Sequence, residues 1–321
     1  MVIDQSTGPV RRWLQYAFYD WTREMPTSKR FITWVGILMQ GYAIWAGFSH
    51  SLIWPLIWPR KGLFLYVWLL YLLGSAIMNG MLTSEFVRKT QLEADQIAAQ
   101  QIQKTLQPEK LEELAGYEME VFYKPFRAVG GDYFDVMELP GNRTLFALAD
   151  VSGKGMAAAL LASNIQALVR SLANAETDPL VLARQINSHL IRYTPSNRFA
   201  TAVFIMLNRD SGGLTYVNAG HNAPIVFCSG STTSLEPTGL PIGLLSGAEY
   251  QAATGIVPPG GTLLLYTDGL TDSISGDDPE GRLRGAISES PKKTLSNIKS
   301  LIDPRLNEDD VTILLVKRSD W

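Results

Sequence analysis

Cysteine occurs once and histidine three times in 321 residues. A single cysteine excludes an internal disulfide and any Cys-cluster metal site. His50, His189 and His221 are too few for a His-rich zinc centre. Charge of one sign is scarce as well: the formal net charge is −3, so there is no whole-protein electrostatic case for nucleic acid as a partner. A Walker loop, a G-x-S-x-G elbow and an H-E-x-x-H helix are also missing. What remains is 46% hydrophobic and long enough for about two domains with a sizeable core.

Composition divides the chain. Seven of the eight tryptophans lie within residues 1–68, and residues 1–89 carry nine Lys/Arg against four Asp/Glu, a net of +5; the remainder has a net of −8. With His50 counted neutral, no charged residue occurs from Phe31 to Pro59 or from Gly62 to Ser84. About 20 apolar residues span the hydrocarbon core of a bilayer. Residues 31–83 are therefore expected to form a two-helix transmembrane anchor, with spans at 31–48 and 63–83. Residues 49–61 would make a short interfacial turn, with Trp54 and Trp58 at headgroup depth against membrane lipid. Arg11, Arg12, Arg23, Lys29 and Arg30 precede the first span and Arg88 and Lys89 follow the second, against only Arg60 and Lys61 in the turn. This excess predicts a multi-pass protein of the cytoplasmic membrane with a cytoplasmic N-terminal segment, 1–30, and the C-terminal domain in the cytoplasm. The alternative is a buried helical hairpin in a soluble regulatory domain.

Residues 84–108 are expected to be a linker helix: 84–107 contain no Gly or Pro, are rich in Gln, Ala, Glu and Lys, and are followed by Pro108. Leu92, Ala99, Ile102 and Leu106 form a short heptad stripe that suggests a homodimer through this helix, although Asp95 interrupts it. The other reading lays the helix on the chain's own C-terminal domain.

From 109 to 321 the pattern is mixed. Strand-like runs at 117–124, 142–150, 199–208, 214–220, 223–228, 261–269 and 310–318 surround two consecutive helical stretches, 155–173 and 179–194. Strands that are not separated one by one by helices point to an α+β fold of stacked antiparallel sheets flanked by helices. Four acidic residues stand at strand ends or in glycine turns: Asp132, Asp150, Asp268 and Asp309. Any one of them reads most simply as a cap or turn former. Four together, without a His or Cys cluster, suit Mg²⁺ or Mn²⁺ bound by oxygen ligands, a common device for phosphoryl transfer to water.

These residues carry a resemblance. Val129-Gly-Gly-Asp-Tyr-Phe-Asp135, Asp150-Val-Ser-Gly-Lys-Gly155, Asn218-Ala-Gly-His-Asn222, Tyr266-Thr-Asp-Gly-Leu270 and Asp309-Asp-Val-Thr-Ile313 follow in order, after Gln101-Ile-Gln-Lys-Thr-Leu-Gln-Pro108. Over residues 96–318 the chain resembles the SpoIIE/RsbU-like branch of the metal-dependent type 2C (PPM) serine/threonine phosphatases. The resemblance implies an αββα sandwich holding two Mn²⁺ or Mg²⁺. Asp132, Asp150 and the backbone carbonyl of Val151 would serve both ions, Asp268 and Asp309 would complete one shell, and Asp132 and Asp150 would hold the bridging water. It further implies a phosphorylated protein substrate, a STAS-domain anti-sigma-factor antagonist.

Neighbouring residues have two readings each. His221 is a candidate general acid or a turn residue, Arg127 a candidate phosphate ligand, and Lys154 a phosphate contact or a solvated loop lysine. Asp135 and Asp310 read as structural, and Cys228 as core. Gly153-Lys-Gly155-Met-Ala-Ala158 imitates a dinucleotide-binding fingerprint, but the helix after it leads to another helix instead of a second parallel strand. The rival to the enzyme is a catalytically silent signalling scaffold of the same fold. A membrane sensor with its ligand between the two spans is a second rival, but no charged group inside the spans marks a ligand site.

Overall fold

The computed structural model describes residues 27–52, 61–106, 113–174, 176–195 and 197–320. Expectations for residues 1–26, for the turn holding Trp54 and Trp58, and for the stop at Pro108 fall outside these residues. The chain divides into two compact units, Met1–Ala94 and Asp95–Trp321.

In the first unit, helix α1 spans Thr27–Leu52, and helix α2 starts at Lys61 and runs unbroken to Leu106. The expected second span and linker are thus one helix of 46 residues. Among the described residues, no helix is long and apolar enough to cross a membrane. This corrects the expected two-span anchor, and with it the multi-pass location and the lipid contact. The charge-free runs misled because freedom from charge is not apolarity. Gln40, Tyr42 and Trp45 interrupt α1, while Tyr71, Ser75 and Asn79 interrupt α2 before Glu85, Arg88 and Lys89 make it polar.

The second unit is built from two five-stranded antiparallel sheets. Its strands are β1 (Tyr117–Lys124), β2 (Asp132–Leu139), β3 (Arg143–Val151), β4 (Ala200–Asn208), β5 (Gly213–Ala219), β6 (Ile225–Cys228), β7 (Ser231–Ser234), β8 (Ala253–Ile256), β9 (Thr262–Tyr266) and β10 (Val311–Arg318). One sheet has the order β1-β10-β9-β6-β7 and the other β2-β3-β4-β5-β8. Helices α3 (Met156–Leu172) and α4 (Pro179–Tyr193) pack on the second sheet; α5 (Asp268–Asp272), α6 (Pro279–Ala286) and α7 (Pro291–Leu301) lie by the first.

Period-two alternation sets the layers. Along β3, Phe146 and Leu148 enter the core between the sheets, where they meet Leu263, Leu265, Leu314 and Val316 of the opposite sheet. Leu145, Ala147 and Ala149 turn the other way, onto Ile165, Val169 and Ile186 of α3 and α4. Because both faces of each central strand are covered, these strands read as continuous apolar runs. The two-sheet α+β sandwich expected from the sequence is therefore present. Strand β2 and the short, polar β7 and β8 were not among the expected elements.

Candidate active site

The same alternation aims the aspartates. Asp132 and Asp150 are directly paired across β2 and β3, and both share the inward parity of Phe134, Phe146 and Leu148. From the other sheet, Asp268 opens α5 immediately beyond β9, and Asp309 precedes β10, the neighbour of β9. Each sheet thus delivers two carboxylates to one end of the sandwich.

Asp132 is only 2% exposed. Its Oδ2 accepts hydrogen bonds from the hydroxyls of Thr267, just beyond β9, at 2.9 Å, and of Thr312 in β10 at 2.5 Å. The Thr312 amide in turn donates to the Thr267 hydroxyl oxygen at 3.0 Å. Sequence reasoning passed over these threonines, although both stand inside motifs already singled out. Asp310 holds the loop before β2: its Oδ1 accepts from the Phe126 amide at 2.7 Å and its Oδ2 from the Gly131 amide at 2.5 Å.

Electrostatically the patch is crowded. Burial pushes the Asp132 carboxyl well up, and the charge of Asp150 adds to this while the Thr312 hydrogen bond opposes it. Burial also pushes Asp150 up, to about 7, reinforced by Asp268, Asp309 and Asp310. Asp268 is raised by burial and by Asp272 and Asp309. Lys154 supplies a cation: its ammonium lies 3.0 Å from Asp309 Oδ2, donates to the Glu308 carbonyl and sits 5.4 Å from the Phe126 ring centre. The Val151 carbonyl lies against Gly131, 3.2 Å from where a Cβ there would stand.

These donors are all hard oxygens in a like-charged, half-enclosed patch, which fits a divalent cation such as Mg²⁺ or Mn²⁺. Among the described residues, however, no group of three or more His, Cys, Asp or Glu side chains is arranged to hold an ion as it stands. The carboxylates are neighbours and not a closed coordination shell.

The remaining candidates separate. His221 is 2% exposed; its amide donates to Asn218 Oδ1 at 2.8 Å, and its Nδ1 lies 2.8 Å from the Thr201 hydroxyl. Burial lowers its pKa to about 4, against slight opposition from the Tyr266 backbone, so the ring is neutral at pH 7. Arg127 is exposed, its guanidinium 3.7 Å from where a Cβ on Gly155 would lie at the start of α3. Asp135, 1% exposed, faces away from the patch and pairs with Arg170 through 2.6 and 3.2 Å hydrogen bonds.

The similarity of its fold to solved PP2C domains places the second unit in the class of PP2C-type folds. The fold matches the RsbU and RsbW domains of Rv1364c from Mycobacterium tuberculosis (TM-score 0.56, 26% identity, 64% of this chain and 62% of that one). It also matches RsbX in complex with magnesium (TM-score 0.54, 21% identity, 65% and 99%). Within that class the chain belongs to the SpoIIE family: the family model, Stage II sporulation protein E, matches residues 140–319. The phosphoserine phosphatase RsbU of Bacillus subtilis is 24% identical over 232 residues, 68% of this chain and 69% of that protein. The chain spans 40%, 52% and 69% of the length of three such curated relatives.

Proposed function

We propose that the protein is a divalent-metal-dependent protein phosphatase that removes phosphate from serine or threonine of a signalling protein. The observation that carries this reading is the cluster of like-charged aspartates, Asp132, Asp150, Asp268 and Asp309, delivered from both sheets to one end of the sandwich. Their mutual repulsion calls for a cation. Membership of the SpoIIE family, the phosphoserine phosphatase relative and the magnesium-bound neighbour support it.

On this reading Asp132, Asp150, the Val151 carbonyl, Asp268 and Asp309 hold two Mn²⁺ or Mg²⁺. Bound divalent ions supply a lowered pKa for water and neutralisation of phosphoryl charge. The chain's own residues do the rest. Thr267 and Thr312 fix the Asp132 carboxylate so that it cannot turn away. Lys154 balances Asp309 and, being partly exposed, can reach an incoming phosphate. Arg127 is exposed beside Gly155 at the start of α3, where its guanidinium is placed to grip a phosphoryl group bidentately. His221, neutral and enclosed, serves the turn after β5 in place of acid catalysis. The substrate class is a phosphorylated STAS-type anti-sigma-factor antagonist. The stripe of Leu92, Ile102 and Leu106, exposed at 53%, 64% and 39%, suits a homodimer seam.

A second reading, a silent scaffold of the same fold, is favoured by one observation: the carboxylates do not form a closed shell. One assay separates the two. The full chain is given a phosphoserine peptide or para-nitrophenyl phosphate with and without Mn²⁺. Turnover that requires Mn²⁺ and is lost in Asp150→Asn supports the phosphatase; turnover indifferent to either change, or none with Mn²⁺, sinks it.

A further inference from the structure

The end of α2 is joined to the aspartate patch by one side chain. The Gln103 amide nitrogen donates to the Gly130 carbonyl at 2.7 Å, and its oxygen accepts from the Gly130 amide at 3.1 Å. A primary amide that bonds both polar groups of one residue reproduces the pairing of a neighbouring strand. Gln103 and Ala99, one helical turn apart, are half-buried, whereas Gln100, Gln101, Ile102 and Lys104 are exposed. The helix therefore turns Gln103 inward together with Ala99 of the heptad stripe, and leaves the stripe's Leu92, Ile102 and Leu106 exposed. A second bond, from the Gln166 amide of α3 to the Leu106 carbonyl at 2.5 Å, secures the helix end.

What Gln103 holds is the segment that delivers Asp132. Gly130 stands two residues before it. A Cβ at Gly130 would run into the Tyr123 hydroxyl and the Asp310 carboxylate; one at Gly131 would come within 3.1 Å of Ala158 Cβ and 3.2 Å of the Val151 carbonyl. The loop is thus gripped from two sides. Asp310 takes the Gly131 amide and Gln103 takes both polar groups of Gly130. Two glycines in succession have great freedom in the unfolded chain and no side chains to anchor them, so the loop's position depends on these bonds.

We propose that Gln103 is a positioning residue for the metal centre: by pairing with Gly130 it fixes the height of Asp132 and so sets the affinity for divalent cations. The inference rests on the reading of Asp132 as a metal ligand. Loss of a group that orients a ligand typically weakens metal binding roughly 10- to 100-fold.

The test uses the full chain. Titration calorimetry with Mn²⁺ is run on the wild type, Gln103→Ala, Gln103→Glu and the exposed control Gln100→Ala. Hydrogen exchange is followed at residues 128–133 without metal. Gln103→Ala is expected to raise the Mn²⁺ Kd by about tenfold or more and to speed exchange at the Gly130 amide, with kcat restored at saturating Mn²⁺. Gln103→Glu keeps an acceptor for the Gly130 amide but sets an anionic oxygen against the Gly130 carbonyl, so it weakens binding as well; it decides the matter if Gln103→Ala fails to fold. Gln100→Ala leaves the Kd unchanged. A Kd within about twofold of wild type in the folded Gln103 variants overturns the role of Gln103 and leaves the phosphatase reading standing. A wild-type chain that binds no Mn²⁺ overturns both.

Discussion

Strand β2 carries two buried aspartates, three residues apart, on opposite faces. Asp135 points toward α3 and meets a bidentate guanidinium from Arg170. Asp132 points between the sheets and meets two threonine hydroxyls and more carboxylates. The sequence distance is small and the chemical difference is large. A buried carboxylate with its own arginine has its charge answered inside the chain and does structural work. One that is surrounded by like charges is held in place at a cost in stability, which a bound cation would offset on the proposed reading.

The comparison breaks first at the patch. Asp132→Asn or Asp150→Asn is expected to lower Mn²⁺-dependent kcat/KM roughly a thousandfold while leaving the melting temperature of the metal-free protein unchanged or slightly higher, because a repulsion is removed. Steady-state kinetics beside a thermal melt in chelator check this; a melt that falls as steeply as the activity would return Asp132 to a structural role. Arg170→Ala should do the reverse. It strands Asp135 and costs about 2 kcal/mol, less than a wholly enclosed pair because Arg170 is half-exposed. That corresponds to a fall in Tm of roughly 4–8 °C with the Mn²⁺ Kd preserved.

His221 sharpens the contrast from another side. Its folded pKa, about 4, lies below the ordinary value of 6.5. The unfolded chain therefore takes up a proton first as pH falls, so the stability that neutral His221 contributes is complete above pH 6.5 and is lost between 6.5 and about 4. Melts of the wild type and His221→Asn across this window, taken as a difference so that the carboxylates cancel, should diverge below pH 6.5 and run parallel above it. The smallest effect belongs to Lys154. Its bond to Asp309 is partly exposed and therefore weak, so Lys154→Met should tighten Mn²⁺ binding by only about threefold in calorimetry. A loosening would mean that the lysine does not compete with the cation.

Much of the sandwich could be read from residues in order. β1, β3, β4 and β10 announce themselves as alternating or unbroken apolar runs, and α3 and α4 as periodic helices. β2 escaped because Asp132, Asp135 and Glu138 interrupt its hydrophobic pattern. Those same residues make it the strand that matters. β7 and β8 are four residues each, too short and polar for periodicity to register. The four aspartates of the patch stood out in the sequence at strand ends or in glycine turns. Thr267, Thr312 and Gln103 were not, since the groups they hold lie 135, 180 and 27 residues away and only closure of the sandwich brings them together. The membrane expectation failed for a different reason: counting charges treats Trp, Tyr, Gln and Asn as if they were leucine.

The position of β10 has a consequence in time. This strand lies inside its sheet, between β1 and β9, yet of that sheet's described strands it is the last to be synthesised. A nascent chain that has emerged through β9 still has an open slot beside β1, and its Asp132 lacks the Thr312 hydroxyl. Such a chain has most of its helices and strands but only half of its aspartate clamp. The patch is completed by the final strand, so synthesis itself delays the centre until the domain around it can close.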